Sequence, residues 1–445
     1  MVKIRPFLSN CDTKCSMKVA IIGSGPLAIE MALYLDSQQS TVVLFMKEQL
    51  GGSIKKMASL YPDLELDSST SEWGRELLGE VGPISTIGEY WNNYLKPLSE
   101  HQVVRDFTRL GEVLRVHKRF LGTHEKVDSR LSDLFRVVFT TNPSEDIIKQ
   151  VKENPETFEK MGENFIESLK ESIEFFEDFD LVVDCRGVIN NPMPMGPGGS
   201  FALNEKNLKE FISYGVDGLK AIKKFNDNEV FIVGSGKTSA LFMLTLKNWL
   251  AENSSRRIFL VTDEKKAFSK FFEESSSLSK DLKQMLGQDQ EKFDQDAKVF
   301  GEKINEWKSL EDFVRAKVAR PVEPERKIAI FEGHNVTSVD KLLDKNKIFI
   351  TLESPEFRGE SLIKTIGVDL VLVSTGYKID TSIFEGMQTN FDLSNKHAEN
   401  DGVHSEPGFY TLGPILKERY GIKEGLDQVA AISKNMFSYF TWKGE

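Results

Sequence analysis

Short apolar runs alternate along this chain with longer stretches of helical spacing, and glycine turns fall where the first kind meets the second. Residues 18–22 (Lys-Val-Ala-Ile-Ile) read as a strand buried on both faces, 26–36 as a helix and 41–46 as the next strand. Residues 87–98 have helical spacing, and 111–117 and 135–141 read as strands. The charged stretch 144–178 is helical in pattern and interrupts what would otherwise be a plain β excursion. Asp180-Leu-Val-Val-Asp-Cys-Arg-Gly187 returns as a buried strand ending in a turn, and the Pro/Gly-rich stretch 190–199 reads as a hinge between domains. A second unit opens near residue 228 with a strand at 229–233, a helix at 238–252 and a strand at 257–262. Residues 264–320 form a charged, mostly helical insertion with a serine cluster at 275–277, and strands follow near 327–331 and 346–352. Residues 369–377 and 408–414 end in glycine turns of their own, and a helix at about 424–440 closes the chain.

Two of the turns carry the chemistry. Ile21-Ile22-Gly23-Ser24-Gly25-Pro26-Leu27-Ala28 and Phe231-Ile232-Val233-Gly234-Ser235-Gly236-Lys237-Thr238-Ser239-Ala240 are each a strand, a Gly-x-Gly turn and an apolar helix. That layout brings backbone N–H groups at a helix N-terminus up to a pyrophosphate. One such turn is weak, since Gly-x-Gly also ends ordinary strands. Two, about 210 residues apart, imply two nucleotides in one protein, a flavin and the nicotinamide that reduces it. The Gly236-Lys237-Thr238 tripeptide is not the end of a P-loop, because Phe231 stands where that motif needs its first glycine.

Composition narrows the partners. The 445 residues suffice for two or three domains, and 40% apolar and 28% charged residues are ordinary for a globular protein. Lys and Arg number 57 against 68 Asp and Glu, a net charge of −11 with no basic stripe, which argues against nucleic acid. No apolar run approaches the ~18 residues of a membrane span. The N-terminus lacks an apolar signal segment, and Met17 stands just before the first strand, so residues 1–16 read as a flexible extension and the compartment as cytoplasmic. Cys11, Cys15 and Cys185 make no disulfide framework, and the six histidines have no ligand spacing, so no metal is expected. Cys185, at the end of an apolar strand, reads as a small buried hydrophobe rather than a reactive thiolate, and no side chain is expected to act as an essential nucleophile.

Over residues 17–440 the motif order resembles the two-dinucleotide-binding-domain flavoproteins, and within them it is most similar to flavin-containing monooxygenases and N-hydroxylases. The resemblance rests on Phe45-Met46-Lys47 with Gly51-Gly52, on the second glycine turn, on Ser374-Thr375-Gly376-Tyr377, and on Phe409-Tyr410-Thr411-Leu412-Gly413 before a helix. It implies an α/β fold of two Rossmann-like three-layer domains, with an NAD(P)H domain inserted into a discontinuous FAD domain. The expected division is FAD domain 17–200 and 356–445, with the NAD(P)H domain at 201–355. It also implies an FAD-dependent NAD(P)H oxidoreductase, monooxygenase-like, which passes hydride from NAD(P)H to flavin and then electrons to O2 with a small substrate, or to an organic acceptor. The alternative is a non-catalytic FAD-binding redox sensor. Candidate cofactor-binding residues are Gly23, Gly25, Pro26, Ala28, Lys47, Glu48, Gly51, Gly52, Val113, Gly187, Gly234, Gly236, Lys237, Thr238, Ser239, Thr375, Gly376, Gly413 and Gln428; no catalytic side chain is assigned.

Several positions depart from the family pattern. Met46 stands where the adenosine-ribose acid is expected, with Glu48 nearby; Arg186 puts a cation in place of a small hydroxyl; Pro414 replaces an aspartate. Ser53-Ile-Lys-Lys56 follows Gly51-Gly52 where a disulfide reductase would carry a cysteine pair, and the monooxygenase Phe-x-Gly-x-x-x-His fingerprint is missing. Asp263-Glu264 would suit the 2′-OH of NAD and Lys265-Lys266 the 2′-phosphate of NADP, which leaves NADH and NADPH both open.

Overall fold

The apolar runs are continuous rather than alternating because the strands they form are covered on both faces. A computed structural model describes residues 17–66, 70–126, 129–141, 173–274, 276–342, 347–354, 362–392, 398–413 and 422–443. Two compact units emerge, one of residues 1–188 and 378–445, the other of residues 189–377. The whole Pro/Gly-rich stretch 190–199 belongs to the second of these units.

The first unit contains β1 (Lys18–Ile22), β2 (Thr41–Met46), β3 (Thr108–Leu110), β4 (Glu112–Lys118), β5 (Phe135–Thr141), β6 (Ile173–Phe179), β7 (Leu181–Asp184) and β16 (Phe409–Thr411). Its parallel sheet has the order β16-β7-β1-β2-β3, and β4-β5-β6 form an antiparallel meander. Val19 and Ile21 of β1 pack with Leu27, Met31 and Val429 of the helices Pro26–Ser37 and Ile422–Lys443. Ala20 and Ile22 pack the opposite way, with Val137 and Phe139 of the meander. The result is three layers: helices, parallel sheet, meander.

The second unit repeats this plan. It contains β8 (Ile212–Tyr214), β9 (Glu229–Val233), β10 (Arg257–Thr262), β11 (Ile328–Glu332), β12 (Asn335–Lys341), β13 (Ile348–Ser354), β14 (Leu362–Val368) and β15 (Leu370–Val373). The parallel order is β11-β10-β9-β15-β8, with β12-β13-β14 as the meander. In both units the glycine-turn strand lies between its successor and the strand after the meander, so the chain leaves it in two directions at a topological switch point. The charged stretch after β10 is helical over Ser269–Glu273, Ser277–Ser309 and Asp312–Arg315, and Ser276 caps the long helix by accepting from the Ser279 amide.

One segment departs from the helical reading of 144–178. Residues 173–179 are β6, while 144–172 lie outside the described residues. Charge density misled here because the acids of β6 are paired: Glu177 with Lys18 and Arg109, Asp178 with Arg136 at 2.9 Å and with Arg119. Strands β12 and β14 are likewise outside the sequence-based reading, since polar Ser338, Asp340 and Lys364 blur their period.

His404 lies in the first unit's core between Phe391 and Phe409. Its Nδ1 accepts from the Asn390 amide at 2.9 Å, which fixes the neutral ring, and burial pushes the imidazole down to about 4. An unfolded histidine titrates near 6.5, so between those values the unfolded chain binds the extra proton. Stability from this residue is complete above about pH 6.5 and falls as pH drops toward 4, by about 3 kcal/mol in all. Denaturant unfolding of wild type and His404→Asn at pH 7.5 and pH 4.5 should show a smaller acid loss in the variant; equal losses would refute the assignment.

Candidate functional site

Register places each glycine turn. Parallel pairing of β1 with β7 sets Ile22 beside Asp184, so Gly23 meets the turn Cys185-Arg186-Gly187. A Cβ on Gly23 would lie 2.5 Å from the carbonyl oxygen of Cys185, and the residue has φ +134. In the second unit β9 pairs with β15, setting Val233 beside Val373, and a Cβ on Gly234 would lie 2.5 Å from the carbonyl oxygen of Ser374, at φ +102. The first glycine of each turn is therefore required by the packing of strand ends. The second is different: around Gly25 and Gly236 no atom lies within 4 Å of an added Cβ. Each is the extended N-cap of a helix, Pro26–Ser37 or Lys237–Thr245, and caps it with no side chain. An open cradle at a helix N-terminus is what a phosphate group fills.

The surroundings of the first turn are built from both ends of the chain. Gly51 donates its amide to Ser24 O at 2.8 Å, and a Cβ on Gly52 would lie 3.3 Å from Gly25 Cα. Trp91, the first residue of a π-helical turn (Trp91–Leu95), closes over Gly51, where an added Cβ would come within 2.2 Å of its ring. Pro26 occupies the first helical position and Ala28 is fully buried beneath it. Gly413 and Gly425 both make room for Leu27, with Cβ positions 3.0 and 2.4 Å from its Cδ1. Gln428, two turns into the closing helix, has a buried Oε1 without a hydrogen-bond partner among the described residues. Gly187 is open in the same sense as Gly25. Gly25 thus leaves an open cradle at a helix N-terminus, and Gln428 carries a buried acceptor without a partner among the described residues.

Other expected site residues are engaged by the protein. Val113 lies in the core cluster with Val116 and Phe139. Lys47 pairs with Glu112 at 2.6 Å on the surface, and Glu48 is exposed. Pro414 lies outside the described residues. Ser239 donates to Gly234 O at 2.8 Å and shares a hydrogen bond with Ser374, which ties the second turn to β15. Thr375 donates to the carbonyls of Met193 and Pro194, and Gly376 O accepts from the Met193 amide, so this turn anchors the Pro/Gly stretch. Lys237 is exposed at the helix start and Thr238 half-buried beside it.

Arg186 is not a free cation beside the first turn. Its Nε donates to Asp184 Oδ1 at 2.9 Å, its guanidinium reaches Asp380, and it lies 4.9 Å over the Phe384 ring. Sequence reading could not anticipate Asp380 as a partner, because it stands 194 positions away. Glu30 was missed altogether: it is fully buried in the Pro26–Ser37 helix and accepts from Ser71, Trp73 and Tyr94. Burial raises its carboxyl above the ordinary range, and its hydrogen bonds act against that. The signal was present as a lone acid inside Leu-Ala-Ile-Glu-Met-Ala-Leu.

Among the described residues the only free cysteine is Cys185, and no group of three His, Cys, Asp or Glu side chains is arranged to hold a metal ion. Burial, and then the charge of Asp184, push the Cys185 thiol well above its ordinary value. In a Cys11→Ser, Cys15→Ser background, Ellman's reagent should label Cys185 only after unfolding; rapid labelling of the native protein would contradict this setting. No described helix is long and apolar enough to cross a membrane.

No protein-family model matches the chain, and neither does any curated protein sequence. Solved structures do. The bacillithiol disulfide reductase of Bacillus cereus superposes with TM-score 0.56 at 16% identity, over 95% of this chain and 99% of that one. The ornithine N-hydroxylase of Kutzneria sp. 744, solved with reduced FAD, NADP+ and L-ornithine, gives 0.54 at 14%, over 95% and 99%. The thioredoxin reductase of T. acidophilum gives 0.53 at 12%, over 96% and 99%. Identities this low speak to the fold alone. With two three-layer α/β units of one plan, one inserted in the sequence of the other, the chain has the fold of these reductases and this hydroxylase.

Proposed function

We propose that this protein is an FAD-dependent NAD(P)H oxidoreductase, with the first glycine turn holding FAD and the second the nicotinamide coenzyme. The observation that carries this is the duplicated turn. In each unit the first glycine is locked against a neighbouring strand end, while the second leaves an open cradle at a helix N-terminus. A flavin bound there would supply the redox chemistry, hydride acceptance from the reduced nicotinamide and onward electron transfer. The chain's own part is to hold two dinucleotides and keep water from the reacting rings. Gly25, Gly52 and Gly187 would line the flavin side, and Gln428 Oε1, buried and without a partner among the described residues, would accept a hydrogen bond there.

Of the three similar structures described above, one is a bacillithiol disulfide reductase, one a thioredoxin reductase and one an ornithine N-hydroxylase. A terminal acceptor other than a protein-borne disulfide is supported by Ser53-Ile-Lys-Lys56 after Gly51-Gly52 and by the buried, protonated Cys185. The reading is accordingly electron transfer to O2, with oxygen insertion into a small substrate, or to an organic acceptor. The test is to load the purified protein with FAD, then bleach the flavin anaerobically with NADH or NADPH and readmit O2 or a quinone. Bound yellow flavin, reduction within seconds and repeated turnover are expected. A protein that takes up no flavin after loading would end the proposal, and a single stoichiometric reduction without turnover would turn it into a redox sensor.

A further inference from the structure

The acid that follows β10 is held by the second glycine turn itself. Glu264 Oε2 accepts from the Ser235 hydroxyl at 2.9 Å, and Ser235 is the middle residue of Gly234-Ser235-Gly236. Thr262 Oγ1 lies 3.0 Å from the same hydroxyl and accepts from the Glu264 amide, while Glu264 O accepts from the Gly333 amide at 2.9 Å. Backbone and side chain of Glu264 are thus both tied down, two residues beyond the strand and beside the open cradle at Gly236. Its neighbours are not held in this way: Asp263, Lys265 and Lys266 are exposed, and Lys270, 3.8 Å from Oε1, is 84% exposed.

In a parallel βαβ unit that cradles a dinucleotide at its glycine turn, the adenosine ribose lies at the end of the second strand. A fixed carboxylate there accepts a hydrogen bond from a 2′-hydroxyl through its other oxygen. The same carboxylate repels a 2′-phosphate, and it cannot turn away without breaking its bond to Ser235. We propose that Glu264 makes the second unit select NADH over NADPH. This rests on the reading of that turn as the nicotinamide-coenzyme site, and it assigns the choice to Glu264 rather than to Asp263 or the lysine pair.

The test needs neither flavin nor turnover. Calorimetric titration of the full-length protein with ADP-ribose and with 2′-phospho-ADP-ribose should give at least tenfold tighter binding of ADP-ribose. Glu264→Gln keeps the shape and the bond to Ser235 while removing the charge, and should reduce that ratio to threefold or less by strengthening the phosphorylated ligand. Ser235→Ala, which frees the carboxylate, should lower the ratio partway. Equal or tighter binding of 2′-phospho-ADP-ribose to wild type, or an unchanged ratio in Glu264→Gln, would overturn the inference and leave the coenzyme-site reading standing. Failure of wild type to bind either ligand would instead overturn the coenzyme-site reading, and the inference with it.

Discussion

Gly234→Ala and Gly236→Val, two positions apart in one turn, should fail in different ways. The Gly234→Ala methyl would sit 2.5 Å from the Ser374 carbonyl oxygen and 2.9 Å from its carbon, on a residue at φ +102. Strand ends in a parallel sheet cannot part without breaking the β9–β15 ladder, so overlap and backbone strain together should cost about 3 kcal/mol or more. The variant should unfold at markedly lower denaturant. Gly236 is extended with empty space around it, so a valine there loses only the glycine's modest value as a cap, about 1 kcal/mol. That variant should fold and yet lose ADP-ribose binding, because its side chain fills the cradle. Gly23→Ala and Gly25→Val repeat the contrast in the first unit, with flavin retention as the readout. Native-like stability of Gly234→Ala, or undiminished ligand binding by Gly236→Val, would show that the two roles have been assigned wrongly.

Glu406→Ala should be the most damaging side-chain truncation outside the turns. Glu406 is fully buried and Arg130 nearly so, and the carboxylate accepts from the guanidinium and from the Gln388 amide at 3.0 Å. Arg130 also donates to the carbonyls of Gly122 and Glu125, so the pair ties that loop to the segment leading into β16. Two atoms of the pair, Arg130 Nε and Glu406 Oε1, lack partners among the described residues, so its hydrogen bonding is incomplete. Removing the carboxylate strands a buried guanidinium, at a cost of about 3–5 kcal/mol. Replacing both, Arg130→Met with Glu406→Leu, should restore much of that loss, because no unpaired charge is left inside. Urea midpoints of the single and double variants decide it: a Glu406→Ala midpoint near wild type, or a double variant worse than the single, would be the contrary result.

Both glycine-turn units are legible in the sequence alone, because a fully buried parallel strand must be a continuous apolar run and the Gly-x-Gly turn follows it directly. The sequence also determined the order of the motifs and the plain hydrophobic character of Cys185. Those are local properties, readable within a dozen residues. Which glycine of each pair is locked by a neighbouring strand and which is open is set by sheet packing, since the atoms that crowd Gly23 and Gly234 lie about 160 and 140 residues further along the chain. The tertiary structure alone neutralised Arg186 through Asp184 and Asp380, turned the charged end of the 144–178 stretch into β6 through cross-strand ion pairs, and set Glu264 against Ser235. Each of these depends on charges or backbone groups brought together by sheet register, which no local period encodes. In one dimension Arg186 and Met46 are departures from the family pattern. In three, Arg186 has its own acids, and the open positions at Gly25 and Gly236 are intact.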